Sequence, residues 1–332
     1  MHLVILTPAP PGTRHGNRAT ALRWARHLRA LGHQVGVLVE WDGRDCDAMI
    51  ALHARRSHGS IKRWRASHPQ RPLVLVLTGT DLYGDIHTGA DARESLALAD
   101  CIVVLQARGL DELAPGPRDK ARVIYQSVRP PRRGTPPRST FLVTVIGHLR
   151  EVKDPFRAAY ALKYLPPESR IRVVQLGAAM SPEADREARS LMQTEPRYRW
   201  LGERDHADAM RWLARSHAMV ISSTMEGGAH VVSEAIASGV PVIASDIAGN
   251  IGLLADDYPG YYPVGDEQAL AALLARAESD SEFLHSLEAA VKAQRSVTDA
   301  AAERRAIADL IAALRFAIDD PAENARSTQR RA

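Results

Sequence analysis

The chain has 332 residues, of which 45% are hydrophobic and 25% charged, and a formal net charge of +4 at pH 7. That length suits two domains of about 100–200 residues each, with enough apolar residues for sizeable cores. The positive charge is mostly arginine interspersed with acids, and the chain lacks long basic runs, zinc-ligand spacing and aromatic RNA-binding motifs. These features argue against a nucleic-acid-binding protein and are compatible with a small anionic ligand.

The cysteines and the distribution of apolar residues indicate a cytoplasmic protein. Cys46 and Cys101 are the only cysteines in the sequence, which argues against a disulfide scaffold or a zinc cluster and fits a reducing compartment. The opening residues have no basic region followed by a long apolar region, so we expect no signal peptide. No apolar segment approaches the roughly 18 residues of a membrane span, so we expect no insertion into a membrane.

Short apolar runs rich in β-branched residues alternate with helical patterns through residues 1–130. The runs predict strands at 2–6, 34–39, 49–52, 73–79, 101–106 and 122–127. The segment 17–31 places Leu22, Ala25 and Leu28 on one face and predicts an amphipathic crossover helix. This alternation is typical of parallel α/β layers, so residues 1–130 are predicted to form a Rossmann-like domain.

The same pattern restarts after a segment, 128–140, that is dense in Pro, Gly and Arg and predicts a linker. Strands are predicted at 141–149, 171–177, 198–202, 218–223 and 241–246, helices at 154–164, 205–215 and 229–238, and then a short strand GYYPV. We predict a second Rossmann-like domain over 140–299, a C-terminal helix at about 300–318 that packs back on the first domain, and a disordered tail at 319–332. Two α/β domains facing a cleft are expected to bind ligands at the carboxyl ends of their strands.

The most informative stretch is STMEGGAHVVSEAIASGVPVIAS, which has an acid on either side of a glycine pair. Gly227 and Gly228 allow a tight turn, and the free amides of the helix that begins near Ala229 can bind a phosphate. Glu234, in the second turn, could accept hydrogen bonds from a ribose diol, and Glu226 could reach a sugar beyond the phosphates. A nucleotide-sugar would explain all three features. The alternative is a solvent-facing turn residue followed by an exposed helix residue.

A second loop with suitable charges follows the first strand of the second domain, in GHLREVKDP. Arg150 and Lys153 are predicted to lie on the same rim as the Glu226 loop, where cations can neutralise a departing diphosphate. The alternative is a solvated pair before a helix.

These motifs resemble those of the GT-B retaining glycosyltransferases of family 4. The E-x7-E pattern followed by SGVPVIAS is similar to the family's donor-site signature, GHLREVKDP resembles its G-R-L-x-x-x-K loop, and the opening TPAPPGTRHGNRATALRWARHLRALGHQV looks like its first loop and helix. The resemblance implies that Lys153 binds the diphosphate, Glu234 the ribose and Glu226 the donor sugar. The further donor-binding positions that we predict are Gly12, Gly227, Gly228, Ala229 and His148.

One position departs from this family pattern, because His148 replaces the arginine that usually follows the glycine. Either His148 or Arg150 would then supply the phosphate contact. No Asp-x-Asp motif is placed to hold a metal with the diphosphate, so we expect catalysis without a metal or cofactor.

The loops of the first domain carry many cations and polar groups at predicted strand ends, where an acceptor would bind. They are Arg14, His15, Asn17 and Arg18 after the first strand, His53, Arg55 and Arg56 after the third, and Thr80 and Asp81 after the fourth. A phosphate-bearing acceptor would need such a cluster, whereas a neutral sugar would not. The alternative is that arginine is simply the common surface cation of this chain. Asp81 could bind a hydroxyl, act as a base or cap a helix.

The first domain also carries a more specific resemblance. Together, ALHARRS, LTGTDLY, VIYQS, GHLREVKDPFRAA and the opening segment look like the selenosugar synthases of selenoneine biosynthesis, a group similar to family 4, over most of residues 1–250. The resemblance implies that the enzyme forms a carbon–selenium bond between the anomeric carbon of a UDP-sugar and selenophosphate, with loss of UDP and phosphate. The expected donor is UDP-N-acetylglucosamine. Selenophosphate is a polyanionic soft nucleophile that needs a cationic pocket more than a general base.

Three other functions fit the same motifs. The nearest is an ordinary family 4 glycosyltransferase that makes an O-glycoside. A UDP-sugar 2-epimerase would convert its donor without an acceptor, and a non-catalytic sugar-nucleotide binder would convert nothing.

Overall fold

The structure is a computed structural model that describes residues 1–13, 16–129 and 133–319, the last five of these by their backbone only. Contacts divide the chain into two units. The first consists of Met1–Gln126 and the helix that begins at Ala300, and the second is Ser127–Asp299. The tail predicted to be disordered, from residue 320 on, and residues 130–132 of the predicted linker lie outside the described residues.

The first unit is built on a six-stranded sheet in which every neighbouring pair is parallel, in the order β2-β1-β3-β4-β5-β6. The strands are β1 His2–Leu6, β2 Gln34–Leu38, β3 Ala48–Leu52, β4 Leu73–Val76, β5 Cys101–Val104 and β6 Ala121–Val123. The helices are α1 Gly16–Ala30, α2 His58–Ser67, α3 Ile86–Thr88, α4 Ala90–Leu98 and α5 Pro115–Asp119, with a π-helical turn at Asp81–Asp85 and a 3-10 turn at Ala107–Leu110. The predicted parallel α/β layer is confirmed.

Two hydrophobic cores cover the two faces of this sheet. Along β1, Leu3 and Ile5 belong to the core that contains Trp24 of α1, whereas Val4 and Leu6 belong to the core that contains Trp64 of α2. Successive strand residues point to opposite faces, so a strand that is buried on both sides is apolar at every position. This is why the strands of this unit appear in the sequence as continuous apolar runs.

The second unit contains another six-stranded parallel sheet, in the order β12-β11-β10-β7-β8-β9. Its strands are β7 Phe141–Ile146, β8 Ile171–Leu176, β9 Tyr198–Trp200, β10 Ala218–Ile221, β11 Val242–Ser245 and β12 Tyr261–Tyr262. Its helices are α6 Arg157–Ala161, α7 Pro182–Thr194, α8 His206–Ala214, α9 His230–Ser238, α10 Ala248–Leu254, α11 Glu267–Ser279 and α12 Ser281–Ala293, with 3-10 turns at Glu151–Lys153, Leu162–Tyr164 and Gln294–Thr298.

The predicted helix at 154–164 is wrong in its first residues. A 3-10 turn, Glu151–Lys153, comes first, and Asp154 then takes a left-handed conformation with φ of 42°, so the α-helix begins only at Arg157. Arg157 stabilises this break, because its guanidinium donates to the Asp154 carboxylate at 2.8 Å and pairs with Glu267. Lys153 is therefore held on a turn rather than on a helix.

The end of the predicted linker packs on the second unit. Arg133 donates to the carbonyls of Ala214 and Ser216 at 2.8 Å each, and the amide of Gly134 donates to Ala214 at 2.9 Å. The described part of 128–140 is thus partly fixed to the end of α8.

The C-terminal helix, α13 Ala300–Asp319, packs against α1 in the first unit. Glu303 of α13 is 3% exposed and accepts hydrogen bonds from Arg23 Nε at 2.9 Å and from Trp24 Nε1 at 3.1 Å. His27 Nε2 lies 3.3 Å from the same carboxylate. The carboxylate therefore lies among nitrogen atoms from three side chains of one helix. None of the helices in the described part of the chain combines the length and hydropathy of a membrane span.

Candidate active site

The candidate donor site of the second unit lies where two neighbouring parallel strands end. Lys153 follows β7 and Glu226 follows β10, and the Lys153 ammonium forms an ion pair with Glu226 Oε1. Ser223 Oγ donates to the same oxygen at 2.7 Å, and the amide of Thr224 donates to the carbonyl of Val152 at 3.0 Å. Both predicted residues are therefore brought together, and backbone and side-chain bonds join their loops.

A glycine of α10, the helix that follows β11, packs closely against Glu226. A Cβ atom at Gly249 of α10 would lie 2.0 Å from the Glu226 carbonyl oxygen and 2.8 Å from its Cβ atom, so a larger residue cannot occupy this position without a shift of backbone. Ser245 Oγ also donates to the carbonyl of Ser223 at 2.6 Å, and Asn250 Nδ2 donates to the carbonyl of Ser245 at 2.9 Å. The Glu226 loop is thus fixed from two sides.

The glycine pair leads directly into α9, as predicted from the sequence. Gly227 and Ala229 are buried, and Ala229 is the N-cap residue of the helix. Alanine has no side-chain oxygen, so it supplies none of the capping bonds that Ser or Asp would give to the first amides. A helix N-terminus of this kind, with its partial positive charge, can bind a phosphate group.

Glu234 of α9 lies between two imidazoles. It is only 4% exposed, and its Oε1 lies 2.6 Å from Nε2 of His206 and 3.5 Å from Nε2 of His230. The hydrogen bond to Glu234 raises the pKa of His206 above the ordinary imidazole value. The alternative that Glu234 is an exposed helix residue is therefore wrong.

His206 is a candidate site residue that was not predicted from the sequence. It follows Asp205, the N-cap residue of α8, and its imidazole is 72% exposed. Its contact with Glu234 spans 28 positions of the chain. The sequence around His206 has no pattern that distinguishes it from an ordinary first-turn residue of a surface helix.

His148 and Arg150 precede the Lys153 turn in the loop that follows β7. Arg150 is exposed, and the described residues provide no ion-pair partner for its guanidinium. His148 Nδ1 accepts a hydrogen bond from the amide of Ala178 at 3.1 Å, which in the neutral imidazole leaves the proton on Nε2. Arg150 therefore supplies a permanent positive charge beside the turn, while His148 is tied to the loop that follows β8.

The first loop of the first unit is described only in part, because Arg14 and His15 lie outside the described residues. Gly12 is exposed with φ of 82°, a conformation that glycine adopts readily. Asn17 and Arg18 lie in the first turn of α1. Arg18 Nη1 is buried and has no hydrogen-bond partner among the described residues.

Asp81 joins the loops that follow β3 and β4. It is fully buried, and its carboxylate accepts hydrogen bonds from the amides of Ala54, Thr78 and Gly79 at 2.9–3.0 Å. Because these bonds come from both loops, the Asp81 carboxylate holds the two loops together. Direct contact with a substrate or a proton transfer would disturb these bonds. The donors to Asp81 are loop amides rather than the first amides of a helix, so Asp81 is not a helix cap.

His53 lies in the same network in a strained conformation. Its φ is 74°, which is uncommon for a residue with a Cβ atom, and its side chain is buried. Burial lowers the pKa of His53 and so favours the neutral imidazole. Nδ1 accepts from the amide of Arg56 at 3.4 Å, and Nε2 lies 3.2 Å from Oγ1 of the exposed Thr80. His53 thus orients Thr80 at the end of β4.

Two guanidinium groups lie beside this network. Arg55 is half-exposed, and its Nε lies 2.9 Å from Oδ1 of Asp85, an acid that the sequence analysis did not single out. Arg56 is exposed and has no ion-pair partner among the residues that the structure describes. The structure therefore brings His53, Arg55, Thr80 and Asp81 together at one edge of the sheet. The Arg56 side chain is available to an anion, whereas Arg55 would have to share its guanidinium with Asp85.

Residues 131–294 match the family model described as Glycosyl transferases group 1. The match covers most of the second unit. The chain is accordingly a glycosyltransferase, and its two parallel-sheet α/β units have the GT-B fold. Comparison with curated proteins finds no match.

Several solved structures resemble the glycosyltransferase over most of its length. HepE of Anabaena, solved in complex with UDP and glucose, is 18% identical with a TM-score of 0.76 and matches 94% of this chain and 100% of its own. The sucrose-phosphate synthase of Thermosynechococcus elongatus is 15% identical with a TM-score of 0.76, over 95% and 99% of the two chains. A point mutant of TarM from S. aureus, solved with fondaparinux, α-GlcNAc-glycerol and UDP, is 16% identical with a TM-score of 0.60, over 80% and 55%. At these identities the likeness shows the fold.

Proposed function

We propose that this glycosyltransferase transfers a sugar from a UDP-sugar to selenophosphate. The donor that we propose is UDP-N-acetylglucosamine. The observation that carries the donor half is the Lys153–Glu226 ion pair beside the start of α9. Solved relatives contain UDP with glucose and UDP with α-GlcNAc-glycerol, which supports a UDP-linked hexose as the donor. The acceptor half rests on the resemblance of the first domain to selenosugar synthases and on its exposed arginines.

The donor residues have separate roles in this proposal. Lys153 and Arg150, with the amides at the start of α9, stabilise the negative charge that develops on the departing diphosphate. Glu226 orients the sugar and keeps the Lys153 ammonium in place through their ion pair. Glu234 accepts hydrogen bonds from the ribose. The cations are all side chains, and no metal or cofactor takes part in the proposed reaction.

The proposed reaction has two steps. Selenium of selenophosphate attacks the anomeric carbon, a carbon–selenium bond forms, and the bond from that carbon to the diphosphate oxygen breaks, so that UDP leaves with the electron pair. Water then attacks phosphorus and cleaves the phosphorus–selenium bond, which releases phosphate and the selenosugar. Arg55, Arg56 and Arg18 bind the acceptor's oxygens, and His53 and Asp81 position Thr80 and the loops around them.

The test is mass spectrometry of the purified protein incubated with selenophosphate and a panel of UDP-sugars. We expect a new ion with the isotope pattern of selenium, together with released UDP. UDP release without incorporation of selenium would overturn the acceptor and point to an O-glycosyltransferase. Conversion of the donor without any acceptor would indicate an epimerase, and no consumption of any donor would indicate a non-catalytic binder.

The arginine pair gives a matched test of the acceptor site. Arg55→Ala or Arg56→Ala should raise the KM for selenophosphate about tenfold or more, because each charge-assisted bond to an anion contributes about 1.5–3 kcal/mol. The affinity for UDP should be unchanged. Arg26→Ala, which removes an exposed arginine of α1, is the control. Equal losses for UDP and selenophosphate would contradict the assignment.

A further inference from the structure

We propose that His206 is a positioning residue of the donor site, which holds the Glu234 carboxylate so that one of its oxygens faces the nucleotide. The inference rests on the proposed function, which assigns Glu234 to the ribose. It adds a residue that no motif of the donor signature includes, and it makes donor binding depend on pH.

The buried carboxylate of Glu234 needs a fixed hydrogen-bond donor. Glu234 is 4% exposed, and an ionised acid at such a site is costly unless it is paired. His206 Nε2 is the nearest donor, 2.6 Å from Oε1, and His230 is more distant at 3.5 Å. His206 therefore supplies most of the stabilisation and fixes which oxygen faces α8.

Only one oxygen of the Glu234 carboxylate contacts the imidazoles. Both imidazoles approach Oε1, and no hydrogen bond to Oε2 is made by the described residues. A carboxylate has about four lone-pair sites, so Oε2 remains able to accept from ribose hydroxyls while Oε1 is held. The contact between His206 and Glu234, called the His206–Glu234 clamp below, thus fixes the orientation of Oε2 before any ligand binds.

The strength of the His206–Glu234 clamp depends on the protonation of His206. The groups that face His206 are Glu234 and His230 from α9 and Asp205 from its own turn, whereas β7, which also packs against α8, has no titratable side chain. The bond to Glu234 raises the pKa of His206, so the imidazolium persists above the ordinary value. A charge-assisted bond is roughly twice as strong as a neutral one. The clamp is therefore strong below this raised pKa and weakens as the pH rises through it.

The exposure of His206 makes it a suitable residue for mutation. Its imidazole is 72% exposed, so a substitution removes little buried surface and should leave the fold intact. His206→Gln keeps a donor that does not titrate, and His206→Ala removes the donor. His285→Gln changes an exposed histidine of α12 and serves as the control.

The experiment measures the Kd of UDP by calorimetry from about pH 6.0 to 8.5, a range that brackets the ordinary imidazole pKa and values above it, for the wild-type protein and these variants. Each variant is compared with the wild type at the same pH, so that the titration of UDP itself cancels. We expect His206→Ala to weaken UDP binding about fivefold at low pH, from the difference between charged and neutral hydrogen bonds. His206→Gln should bind nearly as well as the wild type at low pH and should lose the decline in affinity at high pH.

Two results would overturn different parts of the argument. If the wild type binds UDP but His206→Ala and His206→Gln follow the same curve as His285→Gln, His206 does not position Glu234. If the wild type does not bind UDP at any pH, the donor site itself is wrong. Tighter binding by His206→Ala would mean that His206 competes with the ribose, which also contradicts positioning.

Discussion

At the scale of single residues, the acids of the candidate donor site occur in pairs with basic side chains rather than as isolated charges. Glu226 pairs with the Lys153 ammonium, and Glu234 pairs with the His206 imidazole. In each pair the acid comes from the β10–α9 segment and the base comes from a segment elsewhere in the second unit. A cation that is already oriented needs little reorganisation when charge develops on a leaving group, which favours catalysis.

Lys153→Ala should lower kcat for UDP-sugar turnover by about 10²–10³, because one preorganised donor to the leaving group is lost. The free energy of unfolding should fall by less than the loss of rate represents, since Glu226 keeps the hydrogen bond from Ser223 Oγ after its ion pair is lost. Steady-state UDP release measures the first effect and thermal melting the second. Lys163→Ala, at a lysine that is 61% exposed in the same unit, is the matched control. A loss of stability equal to the loss of rate would indicate a structural role for Lys153.

Much of the candidate donor site could be predicted from the sequence because its residues lie in two short loops, one after β7 and one after β10. The order of strand, glycine pair and helix places Glu226, Gly227 and Ala229 without knowledge of distant contacts. His206 could not be predicted, because its meeting with Glu234 depends on how α8 and α9 pack. In the first unit, the roles of Asp81 and His53 depend on bonds between two loops, which no spacing reveals.

At the scale of elements, the strands were easier to predict than the helices. A buried parallel strand is apolar throughout, so its position is visible in the sequence, although the predicted strand 73–79 ends early at Val76 because Asp81 binds the amides of Thr78 and Gly79. Helix α7 was not predicted, because only Ala188 of its residues is buried and its apolar stripe is narrow. Asp154 interrupts the predicted helix after β7 through a left-handed conformation that the sequence does not signal.

The contact between α10 and the Glu226 loop gives a prediction at this scale. Gly249→Ala should displace the loop, because the added Cβ atom would lie 2.0 Å from the carbonyl oxygen of Glu226. We expect a loss of about 1–3 kcal/mol in the free energy of unfolding, as for overpacking in a core, and a clear fall in kcat for donor turnover. Denaturant unfolding and UDP release are the measurements. Gly116→Ala, where nothing lies within 4 Å of an added Cβ atom, should be close to neutral.

At the scale of the whole molecule, the first unit is made from two separated parts of the chain. Met1–Gln126 contributes the sheet, and the helix from Ala300 on packs against α1 through the buried Glu303. The contact joins residues 280 positions apart. The second unit, Ser127–Asp299, is by contrast one continuous segment.

Glu303→Gln should destabilise the first unit by about 3–5 kcal/mol, because it leaves the buried Arg23 guanidinium without its counter-charge. Calorimetric unfolding should show a lower midpoint for the first unit, while the affinity of the second unit for UDP stays the same. Glu168→Gln, at an exposed acid, should leave the midpoint unchanged. An unchanged midpoint in Glu303→Gln would show that α13 is held by its apolar residues alone.

The late position of Glu303 affects the order in which the chain can fold during synthesis. A ribosome releases α1 early, but the carboxylate that pairs with Arg23 and Trp24 follows only after about 280 further residues. The second unit is meanwhile complete once Asp299 has emerged. We therefore expect that the first unit begins to fold before the second unit does but completes its fold only afterwards, once α13 has emerged. A nascent chain stalled before residue 300 should contain a protease-resistant second unit beside a first unit that is still open to digestion.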